Sequence, residues 1–293
     1  MFIATLIAPT ELSDEIAVDV GRRLLDAGCG PDPLVWLEEG LAADISFQWG
    51  LEAARNAVNG QIEGIDVIVQ PAGSRAKKLL VADMDSTMIT VECIDELADY
   101  AGIKPQIAEV TERAMRGELD FAAALDARVA LLKGLGEGAI ERCLAERVTI
   151  MPGAAALVRT MAARGATTIL VSGGFTRFAE PVGAQIGFDR VIANRLNIAG
   201  GVLDGTVAKP IVDSATKETT LLSAMAELGL RAEETLAVGD GANDLAMIRR
   251  AGLGVAYHAK PIVAAAAGAR IDHGDLTALL WAQGIPRREW VIS

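Results

Sequence analysis

Basic charge is scarce in this chain. It carries 27 lysines and arginines against 39 aspartates and glutamates, a net charge of −12. The cations are scattered singly or in pairs such as Lys77-Lys78 and Arg249-Arg250. With no dense basic patch, neither nucleic acid nor an anionic membrane surface is an expected partner. A small anionic substrate remains compatible, because the local charge of a site can oppose the net charge. No run of about 18 apolar residues free of charge occurs, so no membrane span is expected. Met1 to Ala8 is apolar but lacks a basic leader and a small-residue cleavage site, and it reads as a strand. Cysteine is also scarce: Cys29, Cys93 and Cys143 form no metal-ligand pattern and read as small buried apolar residues in a reducing, cytoplasmic setting. The two histidines, His258 and His273, have no neighbours in sequence that support a general-base role, and both read as structural or surface residues.

What is abundant is apolar material, 51% of 293 residues, enough for a large core and about two domains. Residues 1–71 read as βαββαβ, the ferredoxin-like order. Strands are expected at Phe2–Ile7, Leu34–Leu37, Ala43–Phe47 and Ile65–Val69, with helices at Ser13–Ala27 and Leu51–Val58. This part resembles an ACT-type domain, a kind that binds an amino acid or forms a dimer. The glycine-rich first turn that usually makes the ligand pocket is absent, the residues there being Pro9-Thr10-Glu11-Leu12. The expectation is therefore a homodimer contact or plain packing ahead of effector binding. Pro71 to Lys77 reads as a linker, separating a domain of residues 1–73 from one of 77–293.

The second part alternates strands and helices, which predicts an α/β fold with a doubly wound, mostly parallel sheet. Its first strand, Lys78-Leu79-Leu80-Val81-Ala82, runs into Asp83-Met84-Asp85-Ser86-Thr87. Two carboxylates at i and i+2 of an extended chain share a face, and so close a pair asks for a cation or a proton. The charged helical segment at about 91–148 reads as a cap inserted over this motif. Further along, Ser172-Gly173-Gly174 follows the strand Thr168–Val171 and offers backbone N–H groups to an anion. Lys217 opens a helix, and taken alone would be a solvated surface residue. Gly239-Asp240-Gly241-Ala242-Asn243-Asp244 follows the strand Thr235–Val238, with Asp244 at a helix start where it can also serve as N-cap.

Each of these is weak alone. In this order, each after an apolar strand, they resemble the haloacid dehalogenase-like phosphatases. The resemblance implies that Asp83 is the nucleophile, forming an aspartyl-phosphate. Asp85 would protonate the leaving oxygen and then activate water, and its carboxylate neighbour should raise its pKa toward that task. Mg²⁺ would be held by Asp83, the backbone carbonyl of Asp85, and Asp240. Ser172, Gly173, Lys217 and Asn243 would meet the phosphoryl group, and Asp244 would orient Lys217 or the metal's waters.

The cap narrows the substrate. Glu92-Cys93-Ile94-Asp95-Glu96-Leu97, Thr111 to Phe121, and Arg128-Val129-Ala130-Leu131-Leu132-Lys133 closely resemble the phosphoserine phosphatases. In that family the residue matching Glu92 pairs with the substrate ammonium and the one matching Arg128 with its carboxylate, as their chemistry suits. Met115 and Phe121 match apolar residues that shield the site. The expected reaction is hydrolysis of O-phospho-L-serine to serine and phosphate, as the last step of serine biosynthesis. A phosphotransferase, or a phosphatase for another small monoester, would use the same residues. A non-catalytic amino-acid sensor is a more distant reading, opposed by the intact Asp83, Asp85, Lys217 and Asp240.

Overall fold

A computed structural model describes residues 1–292, and Met115 through its backbone alone. The first 71 residues form β1 (Phe2–Ile7), α1 (Asp14–Asp26), β2 (Val35–Glu38), β3 (Ala42–Phe47), α2 (Leu51–Val58) and β4 (Asp66–Pro71). The four strands make one antiparallel sheet in the order β2-β3-β1-β4. Alternation along β1 and β3 sends Ala4, Leu6, Ala43 and Ile45 toward the buried side of α1 and α2, while Ile7, Ala42 and Ile68 join the core of the remainder of the chain. Ser13 caps α1, its side chain accepting from the Ile16 N–H at 3.3 Å.

The remainder is an α/β unit. After β5 (Leu79–Ala82) come four helices, α3 (Cys93–Tyr100), α4 (Lys104–Met115), α5 (Phe121–Leu131) and α6 (Gly138–Arg147). The chain then continues through α7 (Ala154–Ala163), β6 (Thr167–Phe175), α8 (Thr176–Ile186), β7 (Arg190–Asn194), the hairpin β8 (Leu196–Ala199) and β9 (Val202–Val207), and α9 (Ser214–Leu228). It ends with β10 (Thr235–Gly239), α10 (Leu245–Arg250), β11 (Leu253–Tyr257), α11 (Pro261–Ala264), β12 (Ala269–Ile271) and α12 (Ala278–Ala282). Six strands form a parallel sheet in the order β12-β11-β10-β5-β6-β7. All four residues of β5 are buried, as a strand covered on both faces requires.

This order places the chemistry. The chain winds outward from β5 through β6 and β7, then crosses back to β10 on the other side of β5. The reversal opens a crevice at the carboxyl ends of the central strands. Ala82 is level with Leu170 on one side and Val238 on the other, so Asp83, Ser172 and Asp240 emerge together. The helices α3 to α6 are tethered by two segments running side by side: the Thr90 N–H donates to Thr149 O at 3.0 Å and the Met151 N–H to Met88 O at 2.9 Å. The β8–β9 hairpin grips the chain after α5, with Gly134 N–H donating to Leu203 O and Leu203 N–H to Leu135 O, both at 2.8 Å.

Most expected elements appear with ends shifted by a residue or two, and the predicted α/β class is the one found. Three details differ. The strand expected to stop at Val171 continues to Phe175, through a register shift, because Phe175 pairs with Asn194. The segment Arg190–Val207, strands around the Gly200-Gly201 turn, divides into an edge strand of the large sheet and a separate hairpin. The short α11 carried no periodic signal in the sequence. Among the described residues, no helix is long and apolar enough to cross a membrane.

The two sheets meet through buried polar contacts. Asp66, 3% exposed, accepts from the backbone N–H groups of Asp272 (2.7 Å), His273 (3.2 Å) and Gly274 (2.8 Å). Burial raises its pKa above the ordinary carboxylate value despite these three donors. Arg75 bonds both oxygens of Asp44, at 2.7 and 3.1 Å, and donates to the carbonyls of Trp281 and Ala282, at 3.2 Å each. Removing the Asp66 carboxyl would strand three N–H groups. Asp66→Ala is expected to lower the unfolding free energy by about 2–4 kcal/mol in a urea titration, and Asp66→Asn by less. An unchanged midpoint would show that this junction contributes nothing.

Candidate active site

At the carboxyl end of β5 the chain turns sharply. The Met88 and Ile89 N–H groups both donate to Met84 O, at 2.8 and 3.0 Å, and Ser86 adopts a φ of 55°. Asp83 is anchored on both sides of this turn. Its N–H donates to Val238 O at 3.0 Å, and its Oδ1 accepts from the Met84 N–H at 2.8 Å. Lys217, in the first turn of α9, reaches the same Oδ1 at 2.6 Å and Oδ1 of Asp244 at 2.6 Å. The helix is set for this by Asp213, whose side chain accepts from the Thr216 N–H at 2.8 Å. The Oδ2 of Asp83 has no protein hydrogen-bond donor among the described residues, and Asp83 lines a cleft of about 690 Å³.

Lys217 is fully buried, contrary to the solvated position a lone lysine usually takes. Burial alone would strip its proton, but Asp83 and Asp244 more than offset that and hold its pKa above the ordinary lysine value. Burial and the Asp83 charge push Asp244 up to about 7, while the ammonium pulls it down. At 2.6 Å the ion pair is the form that satisfies both groups. Asp244 makes no cap bond to its own helix; its Oδ2 accepts from the Gly241 N–H at 3.0 Å. Gly239 is what lets it approach, since a Cβ there would fall inside the Asp244 carboxyl group.

Asp85 lies beside this triad. Part of its surface faces the cleft, but it sits deep among protein atoms and other acids. Burial first, then Glu92 and Asp83, raise its pKa well above the ordinary value, so the protonated carboxyl is favoured. The Cys93 N–H approaches its Oδ1 at 3.4 Å. Asp85 Oδ2 also faces Gly174, where a Cβ would lie 3.1 Å away. Asp240, at the end of β10, accepts from the Thr87 hydroxyl at 3.2 Å, and burial with the charges of Asp83 and Glu92 pushes it up to about 6. Carboxylate oxygens of Asp83, Asp240 and Asp244 lie within 4.8 Å of one another. So crowded a set of oxygen donors, with acids displaced toward protonation, fits a hard divalent cation. The grouping is made of Asp83, Asp240 and Asp244, where the sequence expectation named Asp83, Asp240 and the Asp85 backbone carbonyl.

The cap side supplies the cleft's other wall. Glu92 accepts from the Ser86 hydroxyl at 2.7 Å; burial raises its pKa and that bond pulls it down. Arg128 donates from Nε to Ala124 O at 3.3 Å, and no carboxylate engages its guanidinium among the described residues. Burial lowers its pKa, opposed by Asp95, Glu92 and Asp85. Phe121, Gly173 and Asn243 also line the cleft, with the Phe121 ring against Gly173. Ser172 is fully buried below that surface, its hydroxyl accepting from the Gly174 N–H at 2.8 Å. Met115 ends α4, and its side chain lies outside the described residues. Among the lining residues not anticipated from sequence are Ser86, as the partner of Glu92, and Lys260 after β11. Lys260 had one available signal, its place at the carboxyl end of the strand beside β10. A second groove of about 540 Å³ runs along β7 and α9 and contains none of the expected residues.

Residues 80–249 match the model of the haloacid dehalogenase-like hydrolases, and the chain belongs to that family. Within it the chain is similar to a phosphoserine phosphatase of Streptomyces coelicolor, 40% identical over 285 residues, covering 95% of this chain and 69% of that one. A crystal structure of a probable phosphoserine phosphatase from Vibrio cholerae superposes with a TM-score of 0.77 at 32% identity, over 98% of this chain and 87% of that one. A substrate-bound phosphoserine phosphatase complex superposes with a TM-score of 0.65 at 37% identity, over 70% of this chain and 97% of that one.

Asp240 takes up a proton more readily folded than unfolded, so its effect on stability is present at low pH and lost as pH rises through about 6. In chelator, the thermal midpoint is expected to be lower at about pH 7.5 than at about pH 5. Asp240→Asn should flatten that dependence and raise the midpoint at the higher pH. A dependence as steep in Asp240→Asn as in the parent would contradict the assignment.

Proposed function

We propose that the chain hydrolyses O-phospho-L-serine to L-serine and phosphate, the last step of serine biosynthesis. One observation carries the chemistry. Asp83 is fixed through Oδ1 by a buried ammonium, with a carboxyl favouring its proton at Asp85 beside it. Oδ2 of Asp83 attacks phosphorus, and the ester P–O bond breaks as Asp85 gives its proton to the departing serine oxygen. Asp85, now a carboxylate, takes a proton from water, whose oxygen attacks the phosphoryl group and releases phosphate from Asp83. Lys217 keeps the Asp83 carboxyl in one orientation throughout. The Gly173 backbone and Asn243 receive the phosphoryl oxygens, and Ser172 supports the first of these from below.

Mg²⁺ would be held by Asp83, the Asp85 carbonyl and Asp240, where its charge offsets that of the phosphate and of the acids around it. Glu92 receives the substrate ammonium and Arg128, which no carboxylate engages among the described residues, receives the substrate carboxylate. Phe121 covers the site. In the same reading residues 1–73 form an ACT-like unit and 77–293 the catalytic unit, with 91–148 as its cap. A homodimer through the first unit is supported by Val18 and Leu25, two apolar residues seven apart on α1 that are 71% and 63% exposed. A cytoplasmic setting suits three buried free thiols.

Phosphate release from phosphoserine, with Mg²⁺ and with EDTA, tests the activity. Turnover is expected with the metal alone, and none in Asp83→Asn. Inactivity on phosphoserine in Mg²⁺ would sink the reading. Arg128→Ala should raise KM for phosphoserine by about tenfold or more while changing hydrolysis of p-nitrophenyl phosphate little. Equal effects on both esters would reject the amino-acid reading of the cap.

A further inference from the structure

The cleft is poor in cations for a pocket that receives an anionic ester. Of the described residues that line it, five are carboxylic acids and two are cations, Arg128 and Lys260. Lys217 does not line the cleft, and its charge is already engaged by two carboxylates. Lys260 is exposed while lining the cleft, which puts it at the rim. It makes no ion pair among the described residues, so its ammonium is not committed to a protein partner. Its charge nonetheless reaches the interior, pulling the Glu92 carboxyl downward.

The backbone that carries Lys260 is held in place. His258, two residues before it, has a φ of 42°, a left-handed conformation that only local contacts sustain. Its N–H donates to Ile271 O at 2.8 Å, and its Nε2 bonds Gly274 O at 2.9 Å. The same Gly274 donates its N–H to Asp66 at 2.8 Å. The Tyr257 ring meets the imidazole edge-on at 4.5 Å. Pro261 then fixes the residue after Lys260 at the start of α11.

We propose that Lys260 is a substrate-binding residue, whose ammonium at the cleft rim draws in and holds the anionic ester, and that His258 is the positioning residue that keeps it there. The inference rests on the phosphoserine phosphatase reading of the same cleft. A rim cation acts on encounter and binding more than on the bond-making step. Lys260→Ala is therefore expected to raise KM for phosphoserine by about three- to tenfold, with kcat within about twofold. It should also flatten the fall of kcat/KM with added salt. Lys260→Arg should restore most of both. His258→Ala should raise KM in the same direction, and the double variant should be no worse than Lys260→Ala alone. An unchanged KM, or a loss confined to kcat, in a Lys260→Ala protein of normal thermal midpoint would overturn the binding role. Additive losses in the double variant would overturn the positioning role. The wild type serves as control. If it is inert on phosphoserine but cleaves p-nitrophenyl phosphate, the substrate reading fails, and the KM ratio on the aryl ester still decides the role of Lys260.

Discussion

The site depends on one buried cation. Lys217 lies 2.6 Å from both Asp83 and Asp244, with all three side chains removed from bulk water. Taking such charges out of solvent costs several kcal/mol per ion unless each is paired and hydrogen-bonded. That condition explains the details around them: the Met84 N–H on Asp83, the Gly241 N–H on Asp244, and a glycine at 239 where any side chain would collide with the pair. The stability lost in burying the triad is recovered as orientation. Asp83 is presented with one oxygen restrained, the arrangement that the proposed attack on phosphorus requires.

Around this fixed point the acids are sorted by environment. Asp85, enclosed and flanked by Glu92 and Asp83, favours its proton; Asp240 is displaced less far, to about 6. Carboxylates of one chemical type are thus displaced to different degrees by their surroundings. The surplus of acid at the end of β10 that suits a divalent cation is also what makes the proposed rim cation, Lys260, matter. The four-stranded sheet enters this picture through Asp66, which holds the 272–274 turn that in turn meets His258. The first 71 residues are therefore in hydrogen-bonded continuity with the loop bordering the cleft.

Much of this was legible in the sequence because the reacting groups follow strand ends, and strand ends are marked by apolar runs that stop at an acid, a serine or a glycine. The apolar run through Ala82 and the acids after it predicted both the strand and the crevice. Lys217 was legible as a residue but not as a buried one, since a helix pattern does not say which carboxylates lie across from its first turn. Ser172-Gly173-Gly174 read as a segment beyond the strand Thr168–Val171; that the strand continues to Phe175 was not legible, because it rests on the pairing of Phe175 with Asn194. Ser86 was not legible, and Lys260 only through its place after a strand, for each owes its position to a local left-handed residue, Ser86 itself and His258, that no propensity announces. The junction at Asp66 was equally silent, because its partners are backbone N–H groups more than 200 residues away.

The most direct measurement of the central claim is to trap the intermediate. The protein is mixed with isotopically labelled phosphoserine and Mg²⁺, quenched in acid within the first turnovers, digested, and the labelled peptide sequenced. Acid-stable label on the peptide containing Asp83, absent from the Asp83→Asn protein, is the expected result. Rapid phosphate release with no label on that peptide, or label on a different residue, would contradict the role of the carboxylate that Lys217 holds in place.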